Sequence, residues 1–464
     1  MLRVAFPTVE SSDVTDVSSI GHEAATVVAE PPVRRTNRVL RQFLPFEPAS
    51  GRALPQLDGL RALAVIAIFL RHAWGLSGSP VYLIDIPFIG EVSTAPFVVM
   101  MSNGVDLFFV LSGFLLARSF ILADYQGRPR PNLRRYARLR VFRILPAYWL
   151  VLAMVPMMFV PSLVREETIH SWNGFWAFLT YIPVLQTLSP WAYGSWSAVS
   201  PFWTLTIEVM FYAMCPWLAR AFFRNRWRWA LPLSLAISLG WLALLRTSPG
   251  YWAAEQIAKV FHGVGAPPEY GTAFLRSQFP TFLFSFACGM TVANLWARSE
   301  SQEGGFRSWR PRWRRASITT GWLIVGVSMW QLGYRTWNNQ FYDGGKLART
   351  STTDALIFHL LEAPAMALGF GLVLLGLVLG EVRHPFLSSI PMRIIGVLGF
   401  SIYLWHMPVL YTGTKLTWLQ RLDPHYMWPA AMVRGGIVTL ALSAVTWLLL
   451  ERPMIERGRR KKSG

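Results

Sequence analysis

The sequence predicts an all-α, polytopic membrane protein with ten transmembrane helices and one additional interfacial or re-entrant segment, on three observations. Of its 464 residues 53% are hydrophobic and only 15% charged, against roughly 25% charged in an ordinary soluble domain. Apolar stretches of about 17 to 25 residues recur along it, each long enough to cross a hydrocarbon core of about 30 Å as a helix. Between them arginine and lysine gather in short segments, as in the cytoplasmic loops of membrane proteins. The formal charge of +19 is therefore a topology signal. It is not read as a nucleic-acid footprint, and no nucleic-acid partner is expected.

Taken in order, residues 1–50 are expected to form a disordered cytoplasmic tail, since the first 40 hold no apolar run resembling a signal-peptide core. Residues 51–453 carry the membrane domain, with strong apolar runs at 57–76, 104–122, 143–160, 203–222, 229–245, 279–297, 317–333, 356–380, 394–412 and 430–450. A weaker run covers 173–188. Residues 454–464 form a basic cytoplasmic tail.

The flanking charges decide how the weak run is read. Arg34, Arg35, Arg38, Arg41 and Arg52 precede the first span, and seven arginines from Arg128 to Arg143 separate the second from the third. Arg220, Arg224, Arg226 and Arg228 follow the fourth. The 161–202 stretch then lies outside, and 173–188 cannot cross completely. Trp172, Trp191 and Trp196 suit an interfacial or re-entrant piece, because indole rings favour the headgroup level. The cluster Arg307 to Arg315 and the tail Arg457 to Lys462 keep the same parity, which puts both termini on the cytoplasmic side of the cell membrane. Cys215 and Cys288, the two cysteines, lie inside apolar runs and carry no metal signal.

Several spans hold groups that hydrocarbon does not tolerate cheaply. The first, LPQLDGLRALAVIAIFLRHAWGL, contains Arg61, Arg71 and His72. Arg61 and His72 are eleven residues apart. That is about three helical turns, so the two share a face with an axial separation of roughly 16 Å. Arg61 either snorkels to the interface or lines a cavity. His72 either satisfies a neighbouring carbonyl or serves as a general base. In the second span, NGVDLFFVLSGFLLARSF, Asp106, Ser112 and Gly113 fit close helix packing or a pocket wall.

Arg140 and Arg143, in RRYARLRVFRILPAYW, sit at the cytoplasmic mouth of the third span. They are read as a topology signal or as a phosphate grip, a task that guanidinium performs in bidentate fashion. Glu208, in SPFWTLTIEVMFYAMCP after Trp203, is an intramembrane carboxylate whose expected partner is His72 or an arginine. GFSIYLWHMP supplies Ser401, Tyr403 and His406, close to Trp405.

Taken together and in this order, these blocks resemble acyltransferase family 3, membrane acyl-CoA O-acyltransferases of sugars, glycopolymers and macrolides. The resemblance runs from LDGLRALAVIAIFLRH, with its Arg, ten residues, then His, through GVDLFFVLSGFLLAR, RVFRILPAYW and FWTLTIEVMFY to SIYLWHMP and the final ERP, residues 54–453 in all. Ala62 stands where the family's usual glycine follows the first-helix arginine. Many relatives carry a further hydrolase-like domain after the last helix, and this chain is expected to lack one.

The resemblance implies Arg61 and His72 as paired essential residues, with Arg140, Arg143 and Glu208 as further functional positions. It implies acyl-CoA, by default acetyl-CoA, as co-substrate, with no permanently bound cofactor and no metal. On this reading His72 takes the acceptor's proton and Glu208 orients the imidazole, while Arg140 and Arg143 hold coenzyme phosphates. Asp106, Ser112, Trp203, Tyr403 and His406 are the substrate-pocket candidates, and the acceptor is a hydroxyl on a carbohydrate, glycolipid, polymer or macrolide. The rival reading is a multi-pass transporter or flippase that uses intramembrane Arg, His and Glu as a relay.

Overall fold

The computed structural model describes residues 42–43, 54–88, 90–154, 200–262, 265, 267–301, 311–341, 352–379, 384–414 and 417–459. The weak run at 173–188, its flanking tryptophans, the N-terminal tail apart from residues 42–43, and residues 460–464 of the C-terminal tail lie outside the described residues.

Each of the ten strong apolar runs overlaps a helix among the described residues. They are α1 (Gln56–Leu76), α3 (Gly104–Tyr125), α4 (Leu133–Met154), α5 (Trp203–Ala221), α6 (Trp227–Leu244), α9 (Phe279–Glu300), α10 (Pro311–Phe341), α11 (Thr352–Val378), α12 (Ile390–Thr414) and α14 (Pro424–Thr446). Among the described residues, six helical segments have both the length and the mean hydropathy to cross a membrane, which makes this a multi-pass membrane protein. They contain α1, α3, α6, α9, α12 and α14. Of the ten spans expected from the sequence, the helices among the described residues support six as crossings by length and hydropathy. In α4 arginines occupy the first turns, which lowers the mean apolarity of the whole element.

Smaller elements fill the connections. A β-hairpin, β1 (Leu83–Ile86) and β2 (Gly90–Ser93), and a short helix α2 (Ala95–Met100) join α1 to α3, so the fold is mostly but not purely helical. Two helices, α7 (Ser248–His262) and α8 (Pro268–Arg276), occupy the stretch between the strong apolar runs 229–245 and 279–297. Their apolar residues are spaced along one face instead of forming a continuous run, which a search for long apolar stretches passes over. A four-residue turn, α13 (Thr417–Gln420), precedes α14. After α14 the chain makes one π turn, Trp447–Glu451, before α15 (Arg452–Arg459).

Two close crossings build the core. Gly113 of α3 and Gly289 of α9 face each other so tightly that a methyl group on either would meet the partner backbone, at the carbonyl oxygens of Phe286 and Val110 respectively. Small residues let membrane helices approach in this way. Around the crossing the rings of Phe109, Phe114, Phe211 and Phe286 are buried, and Phe211 stacks on Phe286 at 4.0 Å. The second crossing sets α1 against α12, where Gly396 lies on the backbone of Asp58. Prolines inside α4, α5, α6, α11, α12 and α14 leave those helices continuous, as membrane helices allow.

Candidate active site

A cavity of about 100 Å³ opens where α1, α3, α4, α5 and α12 meet. Helical spacing explains its lining. Arg140 and Arg143 are i, i+3 neighbours on α4, while Thr204, Glu208 and Tyr212 repeat at i, i+4, i+8 along α5, so each set forms a single stripe. Phe108, Ser112 and Leu115 supply the α3 wall, and Arg61 reaches in from α1. On α12, Gly396, Gly399 and Tyr403 share one face. A side chain at Gly399 would enter open space, whereas one at Gly396 would run into the backbone of Asp58.

The cavity is rich in positive charge. Arg61 donates to Asp58 Oδ1 at 3.1 Å, which offsets that guanidinium from within its own helix. Arg140 and Arg143 have no carboxylate in ion-pair distance among the described residues. Arg140 lies over the rings of Tyr136 and Tyr212, at 5.7 and 5.6 Å, and its buried Nε finds no acceptor among the described residues. A guanidinium stacked on aromatic faces keeps its N–H edge directed outward for another ligand.

Among the described residues that line the cavity, Glu208 is the one carboxylate. Its Oε1 accepts from the Ser112 hydroxyl at 3.0 Å and from the Tyr212 hydroxyl at 2.5 Å.

His72 lies elsewhere on α1. Its Nδ1 is 3.0 Å from Nε2 of His406, and Nδ1 of His406 is 2.6 Å from the carbonyl oxygen of Tyr403. Tyr403 joins the two regions. Its side chain borders the cavity, where its hydroxyl donates to the Pro201 carbonyl and lies 2.5 Å from Thr204 Oγ1. Arg61 and His72 thus both lie against α12, the former at the level of Gly396 to Tyr403 and the latter at His406.

Comparison with known proteins bears on what such a site belongs to. A family model described as an acyltransferase domain matches residues 54–448. The chain belongs to acyltransferase family 3. Among curated relatives of this family-3 chain, the putative peptidoglycan O-acetyltransferase YrhL of Bacillus subtilis is 25% identical, over 89% of this chain and 56% of the relative. The peptidoglycan O-acetyltransferase OatA of Listeria monocytogenes is 22% identical, over 92% of this chain and 58% of its own length. Nodulation protein 10 of Rhizobium leguminosarum is 24% identical, over 86% of this chain and 92% of the relative. The chain therefore spans little more than half the length of the two peptidoglycan relatives. No solved structure matches.

Of the positions to which the family resemblance pointed, Arg61, Arg140, Arg143, Glu208, Ser112 and Tyr403 converge on the cavity. His72 and His406 form their own pair beside it. Asp106 is buried and accepts from Ser285 of α9 at 2.8 Å, and Trp203 packs on the ring of Phe282 at 5.5 Å; neither borders the cavity. The bonds of Glu208 run to Ser112 and Tyr212, where the sequence reading had paired it with His72 or an arginine.

Tyr212, Thr204 and Asp58 were not singled out in advance. Tyr212 carried a signal, since it follows the lone carboxylate Glu208 by one helical turn. Asp58 stands one turn before Arg61.

Proposed function

We propose that this protein is an integral membrane O-acyltransferase that moves an acyl group, by default acetyl, from acyl-CoA to a hydroxyl of a carbohydrate-type acceptor. The observation that carries the reading is the cavity itself: in a member of an acyltransferase family, two guanidinium groups without acidic partners among the described residues stand beside a carboxylate that organises two hydroxyls. Arg140 and Arg143 suit the phosphates of a coenzyme, which guanidinium binds bidentately. Arg61, already offset by Asp58, lines the path of the thioester arm. Glu208 positions the hydroxyls of Ser112 and Tyr212 along that path and balances part of the positive charge.

The arm ends toward Tyr403 and the His72–His406 pair. There His72 takes the proton of the acceptor hydroxyl, and the oxygen attacks the thioester carbonyl. A C–O bond forms, the C–S bond breaks, and the imidazolium returns the proton to the departing coenzyme thiolate. General base catalysis of this kind contributes about 10²- to 10⁴-fold. The acceptor class is carried over from the relatives, two of whose names specify peptidoglycan O-acetylation.

The test uses membrane vesicles from cells that carry the gene, supplied with radiolabelled acetyl-CoA. Label should enter a non-protein hydroxyl ester that mild base releases. His72→Ala should abolish the transfer while the protein stays in the membrane. Turnover retained by that variant removes His72 as the base. A wild-type protein that transfers no label from acetyl-CoA removes the donor assignment.

A further inference from the structure

We infer that His406 is a positioning residue: it fixes His72 in its Nδ1–H form and so makes Nε2 the basic nitrogen that meets the acceptor hydroxyl. The inference rests on the proposed role of His72 as the base and adds which atom acts and what selects it.

The argument is one of hydrogen-bond polarity along a chain of three groups. A carbonyl oxygen only accepts. His406 Nδ1 lies 2.6 Å from the carbonyl oxygen of Tyr403, so that nitrogen carries a proton. A neutral imidazole has one N–H and one lone pair, which leaves His406 Nε2 as an acceptor. The atom 3.0 Å away is His72 Nδ1, and two lone pairs would repel, so His72 Nδ1 must donate. Its own lone pair is then on Nε2. Among the described residues that nitrogen has no hydrogen-bond partner, and His72 is only half-buried, so it is open to a substrate.

A doubly protonated His406 would reverse the polarity, and the surroundings oppose it. His406 is fully buried, no carboxylate pairs with it among the described residues, and the side chains on either side of it are Trp405 and Met407, both nearly inaccessible. A buried cation without a counter-charge is strongly disfavoured. The anchor is also rigid. Tyr403 lies one turn before His406 on α12 and is itself tied to Pro201 and Thr204. The arrangement follows the general pattern in which a base is oriented by a third group, with a neutral imidazole and a backbone carbonyl in place of a carboxylate.

The experiment compares full-length wild type with His406→Leu, His406→Gln and His72→Ala in membrane vesicles, with radiolabelled acetyl-CoA as donor. A glutamine can place its amide oxygen where His406 Nε2 lies and accept from His72, whereas leucine cannot. His406→Leu should lower kcat about 100-fold or more, within the range that a general base supplies, with the KM for acetyl-CoA changed less than twofold. His406→Gln should restore kcat to within about tenfold of wild type, a partial rescue expected if the acceptor is what matters. In ¹⁵N-histidine-labelled protein, magic-angle-spinning spectra should show His72 protonated at Nδ1 in wild type and in His406→Gln, and at Nε2 in His406→Leu.

A His406→Leu protein as active as wild type overturns the inference, as does a His406→Gln protein as inactive as the leucine variant. Protonation of wild-type His72 at Nε2 also overturns it, whatever the activities. Turnover in His72→Ala would instead remove the base reading beneath it, so the two failures are distinguishable.

Discussion

Glu208 offers a perturbation whose stability and activity effects separate. Its Oε1 takes hydrogen bonds from Ser112 at 3.0 Å and Tyr212 at 2.5 Å. A hydrogen bond to an ionised group contributes about 1.5–3 kcal/mol and one between neutral groups about 0.5–1.5 kcal/mol. Glu208→Gln keeps an acceptor for both hydroxyls, so it should cost roughly 2–3 kcal/mol in all. Glu208→Ala strands both donors in a half-buried site, at about 1–3 kcal/mol each, and should cost roughly 2–6 kcal/mol.

The activity effects should rank differently. The amide removes a carboxylate that lines the cavity together with the arginines, so the KM for acetyl-CoA should stay level or fall, while kcat should drop at least about tenfold as the two hydroxyls lose their firm anchor. Thermal unfolding in detergent gives the first ordering, and transfer of labelled acetyl in vesicles gives the second. A Glu208→Ala protein that melts with wild type would refute the hydrogen-bond assignment. A Glu208→Gln protein with unchanged kcat and a severalfold higher KM would place the carboxylate on the wrong side of the donor.

Three further outcomes follow from other parts of the molecule. Arg140→Ala and Arg143→Ala should each raise the KM for acetyl-CoA about tenfold or more while dephospho-coenzyme thioesters feel the loss less, in line with a charge-assisted phosphate contact of about 1.5–3 kcal/mol; steady-state kinetics in vesicles checks this. Gly289→Val should force α9 away from the Val110 carbonyl and destabilise the α3–α9 crossing by about 1–3 kcal/mol or more, read as a lowered melting temperature, whereas Gly240→Ala on α6, where nothing lies within 4 Å, should change little. Asp423 caps α14 by accepting from the backbone N–H and the ring of His425, and these bonds hold its carboxyl below the ordinary carboxylate range. A lowered native pKa means that the stabilisation is present above the unfolded-state value and lost as pH falls through the native one, so acid melting curves of Asp423→Asn should lack that component.

The helices were legible because ten of them carry continuous apolar runs, and the arginine clusters between them are dense. Arg61, Arg140, Arg143 and Glu208 stood out for a physical reason: each is a charge inside or at the mouth of a span, where hydrocarbon makes it expensive. The partners were not legible. His72 and His406 are separated by 334 residues, and Ser112 and Glu208 by 96, distances over which helical periodicity says nothing. The contact of Asp106 is another such case: it accepts from Ser285, 179 residues further along the chain on the helix packed against α3. The helices α7 and α8 escaped because amphipathic faces do not raise the local hydropathy.

The π turn at Trp447–Glu451 carries a consequence for how the last segment is aligned with relatives. A π turn accommodates one residue more than an α turn, so every position beyond it is rotated by about 100° from where an uninterrupted helix would put it. Buried Ile455 owes its inward orientation to that offset, and so does Gly458, which lies against Phe142 of α4. Deleting a single residue between 447 and 451 should swing the terminal helix off α4 while leaving composition and hydropathy almost untouched. A relative that lacks the turn will therefore match this chain through α14 and then fall out of phase by one position.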